Sequence, residues 1–343
     1  MRFNNIQILR FIAAAGVLVY HGHYYVGELV WKTPLTRAFD FHLSWGVELF
    51  FAISGFVVSH SLASAPPGRF LALRLVRIYP AFWLAAALVA LAGTAFGNSP
   101  VTRGWLPALT LLPVGGADYP LGGVEWSLVY EVFFYALLAA VALVPARNAR
   151  EWAMLLWLAA IAMMGAFGST RATSFTPTIA TIAFSAFNLP FIAGVLGYSW
   201  FRRVDRLPLA PLICAVPLAL FGAYRAGVAE IQLGFQAVGF AALVLVAAEL
   251  SRRQDASRAN PLVKLGDWSY ALYLVHVPVI KGVLALTPFA PSEANAAFAT
   301  VVVVALAAGA AYGIVETALY RRSKALLERR WARPGAETKA APG

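Results

Sequence analysis

The sequence predicts an all-α integral membrane protein, a bundle of about ten transmembrane helices with both termini in the cytoplasm. Three observations carry that reading. Of the 343 residues, 60% are hydrophobic and 13% charged, with mean hydropathy +0.70; ordinary soluble domains carry about 45–50% apolar and about 25% charged residues. The apolar residues gather into ten runs close to the roughly 20 residues that a spanning helix needs. The basic residues divide unequally between alternate connections of those runs.

The runs are 6–26, 44–62, 78–96, 124–144, 152–168, 179–199, 208–224, 230–250, 267–287 and 297–319, the seventh interrupted by Pro211 and Pro217. With the N-terminus inside, the inner connections receive Arg2, then Arg69, Arg74 and Arg77, then Arg147 and Arg150. They also receive Arg202, Arg203, Arg206, Arg252, Arg253, Arg258 and Lys264, and the tail adds Arg321, Arg322, Lys324, Arg329, Arg330, Arg333 and Lys339. Those are 20 residues, against 5 outside (Lys32, Arg37, Arg103, Arg171 and Arg225), with Arg10 and Lys281 inside spans. Such a bias is the positive-inside signature and fits a multi-pass inner-membrane protein.

The first run does not read as a cleaved signal peptide, because Arg10 interrupts it and no small-residue cleavage site follows His21–Tyr25. One multi-span domain over 1–320 and a short basic cytoplasmic tail over 321–343, beginning as a short helix, are expected. The net charge of +11 does not indicate nucleic acid, since the basic residues form short clusters between apolar runs rather than one continuous stripe. A single cysteine, Cys214, excludes an intrachain disulfide and a cysteine cluster. There is no HExxH, Walker or dinucleotide motif, and His21 and His23 point to different sides of a helix, so no metal site and no tightly bound cofactor are expected.

Ionisable groups inside spans are rare and tend to face the bundle interior. The candidates are Arg10, His21, Glu48, Glu125, Glu131, His276, Lys281 and Glu316. Arg10 and His21 are eleven residues apart, three helical turns, and so share a face. Ser269, Tyr273 and His276 share another by their i, i+4, i+7 spacing. Each has a structural alternative. Arg10 is near enough to the inner interface to snorkel; His21 and His276 can be hydrogen-bonding packers. Glu48 and Glu125 lie near the outer boundary, where water can reach them; Lys281 can reach the outer interface; Glu316 can pair with Arg321 or Arg322. Glu131, deeper in its span, is costly to leave unpaired. Arg74 and Arg77, one turn apart in the loop before a helix start at Pro80, form a guanidinium patch suited to phosphate, or else a plain positive-inside anchor.

Taken in order, five stretches resemble the membrane acyltransferase-3 family, the multi-span O-acyltransferases of bacterial cell-surface polysaccharides. They are Ile8-Leu-Arg10 with the gap to His21, Gly46-Val-Glu48-Leu-Phe-Phe, Arg74-x-x-Arg77-Ile-Tyr79-Pro80, Trp126-Ser127-Leu-Val-Tyr-Glu131-Val-Phe-Phe-Tyr135, and Leu265 to His276 through Ser269 and Tyr273. The fourth is similar to the exopolysaccharide branch. Glu316-Thr-Ala departs from the Glu-x-Pro that often follows the last span, and the esterase-like domain fused to some members has no counterpart in the sequence.

The resemblance implies transfer of an acyl group, expected to be acetyl, from acyl-CoA to a hydroxyl of a surface or lipid-linked glycan. It makes His21 the catalytic histidine and Arg10 its essential partner, with Arg74, Arg77 and Tyr79 contacting the donor. Glu48 and Glu131 match acidic positions of the family; Trp126, Ser127, Tyr273 and His276 are further site candidates. In the expected mechanism His21 is the general base and Glu48 orients it. Arg10, about 16 Å from His21 along the helix, is favoured as a donor-channel residue. Composition and topology alone leave two competing classes open, a transporter or flippase of a glycan or other anionic substrate and a glycan polymerase.

Overall fold

Apolar stretches close to 20 residues long satisfy their own backbone in lipid by forming helices, each of which closes its hydrogen bonds internally. The computed structural model describes residues 3–27, 45–95, 105–116, 118–146, 148–166 and 175–331. Among them there is no strand, only an isolated bridge between Val114 and Thr178. The helices are α1 (Asn4–Tyr24), α2 (Gly46–Leu62), α3 (Pro67–Ala95), α4 (Trp105–Thr110), α5 (Trp126–Val141), α6 (Ala149–Ala166), α7 (Ile179–Ile182), α8 (Asn188–Arg203), α9 (Leu209–Arg225), α10 (Ala229–Arg253), α11 (Pro261–Asp267), α12 (Ser269–Leu286) and α13 (Ala294–Trp331). Five of them, α3, α6, α10, α12 and α13, are long and apolar enough to cross a membrane; α2, α5 and α9 are shorter apolar helices. Arg2, Lys32, Arg37, Arg103, Arg147, Arg171, Arg333 and Lys339, part of the charge-sidedness reading, lie outside the described residues.

Three boundaries differ from expectation. α3 begins at Pro67, eleven residues before the expected start, and Pro80 lies inside it. Proline is favoured in the first helical turn, where its missing N–H costs nothing. Arg74 and Arg77 are therefore helical residues whose side chains enter the bundle, not loop residues. The stretch 179–199 is broken. Thr178 caps α7 through a reciprocal box with Thr181, and the Asn188 amide donates to the carbonyls of Ile182 (2.8 Å) and Ala183 (3.3 Å), closing that turn before α8 begins. Finally, α13 runs unbroken past Tyr320 to Trp331, so the basic segment starts as a continuation of that helix.

α1 is central, packing on α2, α10, α11, α12 and α13. Its first-turn amides are satisfied from far along the chain. Asp255 accepts from the N–H groups of Asn4 (2.8 Å) and Asn5 (3.2 Å), and the Ser251 hydroxyl accepts from Asn5 (3.2 Å). A carboxylate at that end also complements the helix dipole. α2 and α8 cross in close contact through facing glycines: a Cβ on Gly55 would overlap the backbone of Phe191, and one on Gly194 the backbone of Ala52. Small residues at crossings let membrane helices approach to backbone contact. The result holds α1, α2, α3, α5 and α12 around a common interior.

Candidate functional site

Two cavities occupy that interior. The first, about 100 Å³, lies among α1, α2, α3, α5 and α12 and is lined by Arg10, Ser54, Arg74, Arg77, Glu131, Tyr135 and Tyr270, with apolar residues of α2 between them. Three of the expected arginines thus meet in one chamber, although Arg10 and Arg77 are far apart in sequence. Arg77 is the most constrained. It is ion-paired with Glu316 of α13, which is 1% exposed, and its guanidinium lies over the rings of Tyr270 (5.6 Å) and Tyr320 (5.2 Å). The expected pairing of Glu316 with Arg321 or Arg322 is corrected by this contact, because those arginines continue along α13 while Glu316 faces α3. Arg74 donates to the Ser61 hydroxyl and lies 5.8 Å from the Tyr135 ring centroid; Arg10 reaches Gln7 Oε1 at 3.5 Å. Among the described residues neither Arg10 nor Arg74 has an ion-pair partner. Glu131, costly to leave unpaired at its depth, accepts from the Tyr135 hydroxyl.

The second cavity, about 480 Å³, is lined by Tyr20, His21 and Tyr24 of α1, Glu48 of α2, the 122–124 turn, Trp126, Phe175, and Gln232 and Gln236 of α10. The sequence placed His21 at one end of α1 and His276 on α12; the structure brings them together. His21 Nδ1 lies 3.0 Å from His276 Nε2 and 3.1 Å from the Val17 carbonyl oxygen, and His276 Nδ1 is 2.7 Å from the Tyr273 carbonyl oxygen. A carbonyl oxygen only accepts, so His276 carries its proton on Nδ1 and offers a lone pair at Nε2. His21 in turn carries its proton on Nδ1, shared between Val17 and His276. Its Nε2 is left with a free lone pair.

Glu48 lines the same cavity but is buried, at 8% exposure, and its Oε2 has no hydrogen-bond partner. The expected water at this residue is corrected, and no hydrogen bond joins it to His21 among the described residues: the neighbour on the imidazole Nδ1 is His276. Glu125, also expected to be wet, is fully buried and accepts from the backbone N–H groups of Leu121 (2.5 Å) and Gly123 (3.2 Å). It fastens a turn that only glycine suits: Gly122 and Gly123 have φ of +86° and +99°, and a Cβ on Gly122 would meet Val277 at 2.5 Å.

The two cavities meet at a thin partition. Val47 and Tyr273 line both of them. The Tyr273 hydroxyl donates to the Val124 carbonyl (2.9 Å) and stands 2.7 Å from the hydroxyl of Ser127, itself a lining residue of the arginine cavity. Trp126 faces the histidine cavity, edge-on to Phe175 at 5.0 Å. Tyr79 lines neither cavity, since its hydroxyl donates to the Thr110 carbonyl (2.6 Å). Lys281 lies over the Tyr25 ring at 5.1 Å, beside the histidine cavity. Tyr135 and Tyr270, which lie in the stretches that carry the resemblance, were not among the site candidates, nor were Gln232 and Gln236; the last two had a usable signal, a pair of amides one turn apart in an otherwise apolar run.

An apolar helical bundle with a buried arginine chamber beside a histidine cavity defines the class: a helical membrane protein equipped for acid–base chemistry. A family model described as an acyltransferase domain matches residues 3–314, and the chain belongs to the acyltransferase-3 family. It is similar to the exopolysaccharide production protein ExoZ of Rhizobium meliloti (strain 1021), 32% identical over 298 residues, covering 82% of this chain and 90% of that protein. It is also similar to nodulation protein 10 of Rhizobium leguminosarum bv. viciae, 28% identical over 319 residues, covering 82% of this chain and 84% of the relative. No solved structure matches the chain significantly.

Proposed function

We propose that this membrane acyltransferase moves an acyl group, acetyl being the expected one, from acyl-CoA held on the arginine side to a glycan hydroxyl presented on the histidine side. The observation that carries the reading is the shared wall: Val47 and Tyr273 separate a cationic chamber from a cavity holding a free imidazole lone pair. A donor with phosphates at one end and a thioester at the end of a flexible arm suits those two environments. The name of the relative from Rhizobium meliloti, an exopolysaccharide production protein, supports a polysaccharide acceptor.

In this reading Arg10 and Arg74, which have no ion-pair partners among the described residues, supply the charge that meets phosphate. Arg77, neutralised by Glu316 and boxed by tyrosines, holds the shape of the chamber. The acceptor oxygen attacks the thioester carbonyl while His21 Nε2 takes its proton. The new carbon–oxygen ester bond forms, the carbon–sulfur bond breaks, and the proton leaves with the CoA thiolate as thiol. Charge on the His21 ring is shared through Nδ1–H with His276 Nε2, which stands where a carboxylate stands in a Ser-His-Asp triad. A ten-span topology with cytoplasmic termini, supported by the Lys and Arg distribution, puts the arginine chamber towards the cytoplasmic pool of acyl-CoA and His21 towards the outer leaflet.

The test is donor binding by the purified protein. Replacing Arg10 and Arg74 with Gln should weaken acyl-CoA binding and make the residual binding less salt-sensitive, while replacing the exposed Arg202 and Arg206 should not. Equal losses from the two pairs would contradict a built donor site. A transporter would bind no acyl-CoA selectively and would cleave none.

A further inference from the structure

Resting on that reading of the histidine cavity, we infer that Gln232 and Gln236 are the acceptor-specificity residues of this protein, the polar edge of a carbohydrate subsite. α10 is one of the helices long and apolar enough to cross a membrane. Its two glutamines are one turn apart, face the His21 cavity together and are half-buried. Neither amide has a hydrogen-bond partner among the described residues. Two half-buried amides on one face of an apolar helix, turned to a cavity and without a protein partner, are open to a polar ligand, to which each can both donate and accept.

A second observation points the same way. Glu48 lines the same cavity at 8% exposure, no hydrogen bond from another residue reaches its carboxylate among the described residues, and an acceptor-only group of that kind needs a donor. A sugar supplies what all three groups lack. Its hydroxyls donate to Glu48 and both donate to and accept from an amide. Vicinal hydroxyls suit amides spaced by one helical turn. The apolar face of a pyranose ring finds a flat surface on Trp126 or Phe175, an edge-on pair that lines the same cavity. A lipid headgroup phosphate would instead seek cations, whereas the lining of this cavity holds a carboxylate and the nearby ammonium of Lys281 lies over the Tyr25 ring.

The experiment uses the full-length protein in detergent and needs no turnover. Its probe is the host cell's surface polysaccharide, freed of O-acyl groups by mild alkali and cut to short oligosaccharides, titrated while Trp fluorescence is followed. A second arm carries the same saccharide on its lipid carrier. Gln232→Leu with Gln236→Leu should weaken binding of the saccharide in either arm at least about tenfold, the loss of two neutral hydrogen bonds. Acyl-CoA binding should change less than about twofold. If the leucine pair does not fold, Gln232→Met with Gln236→Met, unbranched and close in length, replaces it. In turnover the variants should raise KM for the acceptor by a larger factor than they lower kcat. Unaltered saccharide binding by a folded variant overturns the inference whatever the fate of the acyl-transfer reading. Binding that depends on the amides in a protein that transfers no acyl group would sink that reading and leave the subsite standing.

Discussion

His276 Nε2 lies 3.0 Å from His21 Nδ1, joining α12 to α1 between residues 255 apart in sequence. The contact decides which nitrogen of His21 is free, because the Tyr273 carbonyl fixes the His276 tautomer and His276 then fixes that of His21. Removing His276 should therefore harm the reaction without removing the base itself. His276→Ala is expected to lower the transfer rate by about tenfold or more, equivalent to ~1.4 kcal/mol of barrier. His276→Gln, which can still present an acceptor to His21 Nδ1, should recover part of it. Rates from single-turnover acyl transfer, with donor binding measured alongside, check this. Wild-type rates in His276→Ala would remove His276 from the mechanism.

The pair formed by Arg77 and Glu316 should govern stability more than chemistry. Glu316 is 1% exposed, and deleting one partner of a buried pair leaves an uncompensated charge at a cost of about 3–5 kcal/mol. Glu316→Gln is expected to lower the thermal midpoint in detergent by more than Arg77→Gln with Glu316→Gln together. A double variant less stable than either single one would contradict the pairing.

The crossing of α2 and α8 gives a packing prediction. Gly194→Ala forces a methyl against the backbone of Ala52 and Phe56, and overpacking of that kind costs about 1–3 kcal/mol. Gly234→Ala, with nothing within 4 Å of the added Cβ, should leave the thermal midpoint unchanged or slightly raised. Equal behaviour of the two variants would mean that the glycine contact does not hold the helices.

The helices were legible where a run of apolar residues ends in polar or turn residues: the bounds of α2, α5, α9, α10 and α12 fall within a few residues of expectation. They were not legible where proline misleads. Pro80 looked like a helix start and lies mid-helix, so Arg74 and Arg77 were taken for loop residues. The site was legible as a set of residue types. Arg10, His21, Glu48, Arg74, Arg77, Trp126, Ser127, Glu131 and Tyr273 all line one of two adjoining cavities, and His276 lies behind His21. The partners were not legible. Which carboxylate meets Arg77, and which ring meets His21, depends on which helices are neighbours, and helical periodicity fixes a face without naming what it packs against. Glu125 shows the same limit locally, since its burial depends on a turn built from two left-handed glycines.

In the proposed reaction His21 Nε2 takes the proton of the acceptor hydroxyl. The most direct test is the single-turnover transfer rate of His21→Ala from acyl-CoA to a glycan acceptor, with acyl-CoA binding measured on the same preparation and His23→Ala, a histidine that lines neither cavity, as control. The expected loss at His21 is roughly 10²–10⁴-fold, the usual contribution of a positioned base, with donor binding intact and little change at His23. A folded, donor-competent His21→Ala protein that transfers at the wild-type rate would contradict that role.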